Sequence, residues 1–69
     1  MLGAELKKAR LKAGLTQEEL AFRADVHRTY VSMLEREKGS PTLDTLMKLC
    51  AALGVRASDM VRRIERSRA

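Results

Sequence analysis

The chain has no tryptophan and only one each of phenylalanine, tyrosine, cysteine, proline and histidine among its 69 residues, so most devices that staple or arm a small domain are missing. A single cysteine excludes a disulfide within the chain, and Cys50 and His27, each alone, give no metal-ligand spacing. No metal and no cofactor is therefore expected. A Ser–His–Asp set, paired catalytic carboxylates and a glycine-rich phosphate loop are all absent, which argues against an enzyme. Phe22 and Tyr30 are too few for the stacking platforms that usually read single-stranded RNA. No apolar run approaches membrane-spanning length and no signal-peptide pattern opens the chain, so a cytoplasmic location without a membrane partner is expected.

What the chain does hold is charge and helical periodicity. Fourteen Lys and Arg against nine Asp and Glu give a net charge of +5, which favours a polyanionic partner such as nucleic acid. Charge alone does not decide it, because many small basic domains bind nothing anionic. Residues 1–69 make a single domain near the lower size limit for a self-sufficient core, with no room for a second, catalytic domain. The core must come from helix packing, helped by dimerisation.

The stretch from Thr16 to Glu37 is the most specific. Thr16 with Glu19 three residues on forms a capping box, which starts a helix at Gln17. Leu20, Ala21 and Ala24 point inward from it, and the small Ala21 permits the close approach of two helices joined by a tight turn. Asp25 and Val26 form that turn, where Asp tolerates the left-handed conformation better than most residues. The next helix runs from about Arg28 with Val31 and Leu34 inward, leaving Arg28, Thr29, Ser32, Met33 and Arg36 on its other sides. Two short helices around a tight turn, the second with a hydrogen-bonding face, make a helix-turn-helix.

Three more helices surround this pair, giving a compact all-α, five-helix domain. The first spans about Gly3 to Ala13, with Leu2, Leu6, Ala9 and Ala13 on one face and Gly14 after its end. Gly39, Ser40 and Pro41 make a loop, Thr42 caps a fourth helix that is apolar over a wide arc from Leu43 through Met47 to Leu53, and Gly54 stops it. Ser58 is the expected cap of a fifth helix, which has Met60, Val61 and Ile64 on one side and ends in Arg62, Arg63, Arg66 and Arg68. The arginines are either a solvated face or an extra phosphate contact. Cys50 reads as a small buried apolar residue, and Phe22 as an aromatic at the edge of the core or at an interface.

The segments TQEELA, DVHRTYVSMLERE and SPTLDTLMKLCAALGV together resemble the Cro/repressor-type (xenobiotic-response-element type) helix-turn-helix family, over about Leu6 to Ile64. The resemblance implies a lambda-repressor-like domain in a transcription regulator, dimeric on a palindromic double-stranded DNA operator, with helix 3 in the major groove and RNA polymerase as a candidate further partner. It also implies association with the nucleoid when DNA-bound. Two positions depart from the family pattern: Asp25 stands at the turn glycine, and Glu37 at the glycine after helix 3, with Gly39 two positions later. The segment from Arg28 to Ser32 favours a restriction–modification controller protein over a phage Cro-like regulator.

Carried onto this chain, the family pattern places base-reading side chains at Arg28 and Thr29, with Ser32 and Met33 beside them. Arg28 has the donor fork that suits guanine O6 and N7, and Met33 either touches a thymine methyl or packs on protein. Gln17, at a helix N-terminus, is a phosphate donor, and His27, Tyr30, Arg36, Lys38, Ser40 and Thr42 are backbone-contact candidates. Arg10 and Glu35 both point partly inward and are expected to form a structural ion pair, as matching positions in the family often do; the plain alternative is two solvated side chains. Leu53, Val55, Met60, Val61 and Ile64 are candidates for a dimer interface or, alternatively, caps of the monomer core. An antitoxin-type protein-interaction module with secondary DNA binding is the competing functional reading; an absence of large apolar surface beyond one dimer patch would argue against it.

Overall fold

The structure, a computed structural model, describes residues 1–68, with the side chain of Arg68 outside the described set. Its elements are α1 (Leu2–Lys12), α2 (Gln17–Ala24), α3 (Arg28–Glu35), α4 (Leu43–Leu53) and α5 (Ala57–Arg68), with no strand among the described residues. α2 packs on α3 and α4, α1 packs on α3 and α5, and α4 packs on α5. Leu6, Leu20, Val31, Leu34, Leu49 and Met60 meet at the centre with essentially no solvent contact. Burying each stabilises the fold by about 1.5–3 kcal/mol.

The helix ends explain how so short a chain turns four times. The capping box of α2 is complete: Thr16 Oγ1 accepts from Glu19 N at 3.0 Å and Glu19 Oε1 accepts from Thr16 N at 2.9 Å. The backbone bond from Thr16 N, then the Thr16 hydroxyl, hold the Glu19 carboxyl below its ordinary value. Four helices end on a left-handed residue whose successor donates back to the carbonyl five residues earlier: Leu15 to Arg10, Val26 to Ala21, Lys38 to Met33 and Val55 to Cys50. The left-handed position is glycine at two ends and Asp25 (φ 57°) and Glu37 (φ 60°) at the others. Asp25 thus makes the turn expected of it.

Several expectations from sequence are corrected. α1 begins and ends one residue earlier than the apolar pattern suggests, and Ala13 is exposed. α5 begins at Ala57, where the Arg56 carbonyl accepts from Met60 N at 3.1 Å, so Ser58 lies inside the first turn and is not the cap. Leu43 and Met47 belong to the apolar arc of α4 in sequence, yet the arc is wider than the core it meets, and both are exposed. Phe22, 86% exposed, has no place at the core edge. Cys50 is buried as expected, and burial pushes its thiol up, which keeps it protonated and unreactive.

Candidate nucleic-acid interface

At about 100° per residue, Val31 and Leu34 leave α3 towards the core while Arg28, Thr29, Ser32, Met33 and Arg36 fall on the opposite arc. A cleft of about 510 Å³ lies between this arc and the start of α2, lined by Arg28, Thr29 and Ser32 from α3, by Thr16, Gln17 and Glu18, and by Arg10. Three of the four base-reading candidates therefore share one concave surface; Met33, 39% exposed, is outside its lining. Arg28 Nη1 lies 3.7 Å from Glu18 Oε2, with both side chains exposed. Such a contact is worth little and exchanges readily for another acceptor.

The floor of the cleft is rigid. Arg10 Nε donates to Glu35 Oε2 at 2.6 Å and Nη2 to Oε1 at 3.0 Å, a two-point contact between side chains that are 9% and 3% exposed. Nη1 donates to the Leu15 carbonyl at 2.9 Å, which ties the α1–α2 connection to α3. Hydrogen bonding to Glu35 raises the Arg10 pKa against the opposing effect of burial, with Coulomb attraction adding to the rise. Two solvated side chains is thus the wrong alternative for this pair. Gln17 joins the same network, Nε2 donating to Glu35 Oε1 at 3.1 Å. That bond orients the amide and uses one of its two N–H donors, leaving the other and the backbone N–H in the first turn of α2, where helices leave donors unpaired.

The entry and exit of α3 are fixed by side chains that sequence reading assigned otherwise. His27 Nδ1 accepts from Thr29 N at 3.1 Å and so caps α3. Histidine is not among the usual capping residues, which is why the pattern hid it. At the other end Glu37 Oε1 and Oε2 accept from Gly3 N and Ala4 N at 3.1 and 3.2 Å. The carboxylate thereby caps α1 from 34 residues away. A Cβ on Gly3 would stand 2.5 Å from the Leu34 carbonyl oxygen and 2.8 Å from that of Glu35, so only glycine lets α1 meet the end of α3 this closely.

The remaining phosphate candidates spread along the path from α3 to α4. Arg36 is exposed, its Nε donating to the Ser32 carbonyl at 3.3 Å, and Lys38 and Ser40 are exposed in the loop. Thr42 caps α4 by accepting from Thr45 N at 3.2 Å, while Tyr30 is half-buried against the core. Of the interface candidates, Met60 is fully buried within the monomer and Leu53 is 8% exposed at the edge of a surface cleft; Val55 and Ile64 are half-buried and Val61 is 39% exposed. The apolar surface left on these two helices is Leu43 and Met47, one turn apart on α4, together with Val61 on α5. No group of side chains able to hold a metal ion occurs among the described residues, and no helix there is long and apolar enough to cross a membrane.

Known proteins share this fold. A helix-turn-helix family profile matches residues 6–60. The chain is 40% identical over 62 residues to the control protein C.BamHI of Bacillus amyloliquefaciens, covering 88% of this chain and 76% of that protein. The crystal structure of the restriction–modification controller protein C.AhdI from Aeromonas hydrophila superposes with a TM-score of 0.83 at 34% identity, covering 86% of this chain and 89% of that one. The biofilm master regulator SinR, solved in complex with DNA, superposes with a TM-score of 0.84 at 32% identity over 88% of this chain and 98% of that one. These relatives are regulators and control proteins, not enzymes.

Proposed function

This chain belongs to the helix-turn-helix family of DNA-binding transcription regulators, and from that premise we propose that it acts as a homodimer on a palindromic operator with α3 in the major groove. The observation that carries this reading is the gathering of Arg28, Thr29 and Ser32 in one cleft beside the N-terminus of α2. A guanidinium fork on the outer arc of a helix is suited to a guanine edge. The unpaired N–H groups at the start of α2 and the exposed Arg36 and Lys38 are suited to flanking phosphates. Phosphate contacts fix register and base contacts supply discrimination, so the same corner provides both.

One domain of this size spans too few base pairs for selective binding, so a second copy is required, its half-site about 34–36 Å away or a multiple of that. Leu43 and Met47 on α4 and Val61 on α5 are exposed, and Val55 and Ile64 keep part of their surface for such a contact. The similarity to control proteins favours a restriction–modification controller role. Selection of bound duplexes from a random DNA pool tests the proposal: a palindrome with that half-site spacing is expected. Recovery of single, unpaired sites, bound by one copy in sedimentation, would overturn the dimer reading.

A further inference from the structure

The positive charge of this protein does not sit on its reading corner. Counted with Arg10, which lies in its floor, the stretch from Thr16 to Lys38 holds five Lys and Arg against five Asp and Glu, whereas the rest of α1 and the stretch from Arg56 onward together hold eight against three. Those two segments pack on each other. Lys8 and Lys12 lie two residues either side of Arg10, and at about 100° per residue they stand on the flank of α1 away from the one that reaches Glu35. Next to them Glu5, Arg63, Arg66 and Ser67 line a cleft of about 350 Å³, and Arg63 continues into a second of about 290 Å³ with Lys12 and Gly54. None of these residues lines the cleft between α2 and α3. The one acid in this basic seam is Glu5, whose side chain is 11% exposed and is met by Lys8 Nζ at 3.4 Å. No ion pair among the described residues engages Lys12, Arg63 or Arg66.

We propose that the seam between α1 and α5 is a second DNA-binding surface, which takes the phosphate backbone of a duplex segment other than the one read by α3. Cations held together without acidic partners repel one another, and a duplex carrying one negative charge per about 1.7 Å relieves that repulsion while releasing its counterions. A protein partner fits less well, because the apolar residues lining the seam, Ala9, Ala13, Leu53 and Val55, are small or at least half-buried, and protein interfaces bury large exposed apolar groups at their centre. The seam reads no sequence, since it offers charge on flexible stems and no fixed face of mixed donors and acceptors. It lies on the opposite flank of α1 from α3, so one molecule can hold two duplex segments at once. The inference does not require the operator reading.

The test compares wild type with the triple variant Lys8→Gln, Lys12→Gln, Arg66→Gln, whose three side chains are exposed; a thermal melt checks that it folds. Binding to a random 20-base-pair duplex is titrated across salt concentrations. Loss of three phosphate contacts should lower the slope of log affinity against log salt by about 3. Protein saturated with its selected duplex is then offered a second, labelled random duplex. Wild type should form a complex containing both, and the triple variant should lose at least about tenfold in that second step while keeping its preference among duplexes. An unchanged slope, or second-duplex capture that survives the triple variant, overturns the proposal. Failure of the operator reading has a different signature: no preference among duplexes, with the salt-slope difference intact.

Discussion

The α2–α3 corner and the α1–α5 seam differ in how their polar groups are spent. At the corner the supporting groups are engaged: Arg10 and Gln17 on Glu35, His27 on the start of α3, Thr16 with Glu19, with Arg28 loosely beside Glu18. The seam leaves Lys12, Arg63 and Arg66 without acidic partners. Groups that hold one another in place can present a defined pattern to a base edge, whereas unpaired cations supply attraction without direction. A net charge of +5 therefore says little about where sequence is read, because the corner's own charges cancel.

The comparison breaks most visibly at the floor of the corner. Glu35→Ala leaves Arg10 buried and unpaired, and should cost roughly 3–5 kcal/mol in urea or thermal unfolding, while the double change Arg10→Met, Glu35→Leu should be far milder. At the seam, Arg66→Gln should stay within about 0.5 kcal/mol of wild type. Equal, small losses at both places would mean that the two regions are not built differently.

Gly3→Ala probes the support of the corner from behind. The new methyl meets two backbone carbonyls that cannot move separately from α3, so a loss of about 1–3 kcal/mol is expected. The two left-handed acids should then separate. Asp25→Gly relieves the backbone without losing a contact and should gain up to about 1 kcal/mol. Glu37→Gly relieves the same conformation but removes the cap on α1, and should be neutral or lose up to about 1 kcal/mol. Matching gains at both would show that the Glu37 carboxylate contributes nothing.

The smallest effect concerns pH. The Glu19 carboxyl is held below its ordinary value in the folded protein, so its stabilising contribution is complete above the pKa of the unfolded chain and fades as pH falls through the lower folded value. The difference in Tm between wild type and Glu19→Gln should be largest near neutrality and should close in acid. A gap that widened on acidification would contradict the capping box.

The five helices were legible because capping and periodicity are local. Thr16 with Glu19, and Thr42, announce helix starts, and Leu20 with Ala24, Val31 with Leu34, and Leu46 with Leu49 and Leu53 repeat at helical spacing. What stayed hidden depends on contacts distant in sequence. Glu37 reads as a misfit where glycine is usual until its carboxylate is seen on Gly3 and Ala4. That Gln17 also braces Glu35 with one of its two amide donors is equally invisible in sequence. The wide apolar arc of α4 could not say which part of it the core would cover, and Leu43 and Met47 fell outside. The position of Met60 in the core likewise follows from how α5 lies on α4, which no local pattern carries.

The central claim is that α3 reads bases through Arg28 while the surrounding cations hold only the backbone. Its most direct test is the binding of wild type, Arg28→Ala and Lys38→Ala to every single-base variant of the selected site. Arg28→Ala should flatten the preference at one base position per half-site, whereas Lys38→Ala should weaken all duplexes alike and leave the profile unchanged. A profile that survives Arg28→Ala intact would contradict it.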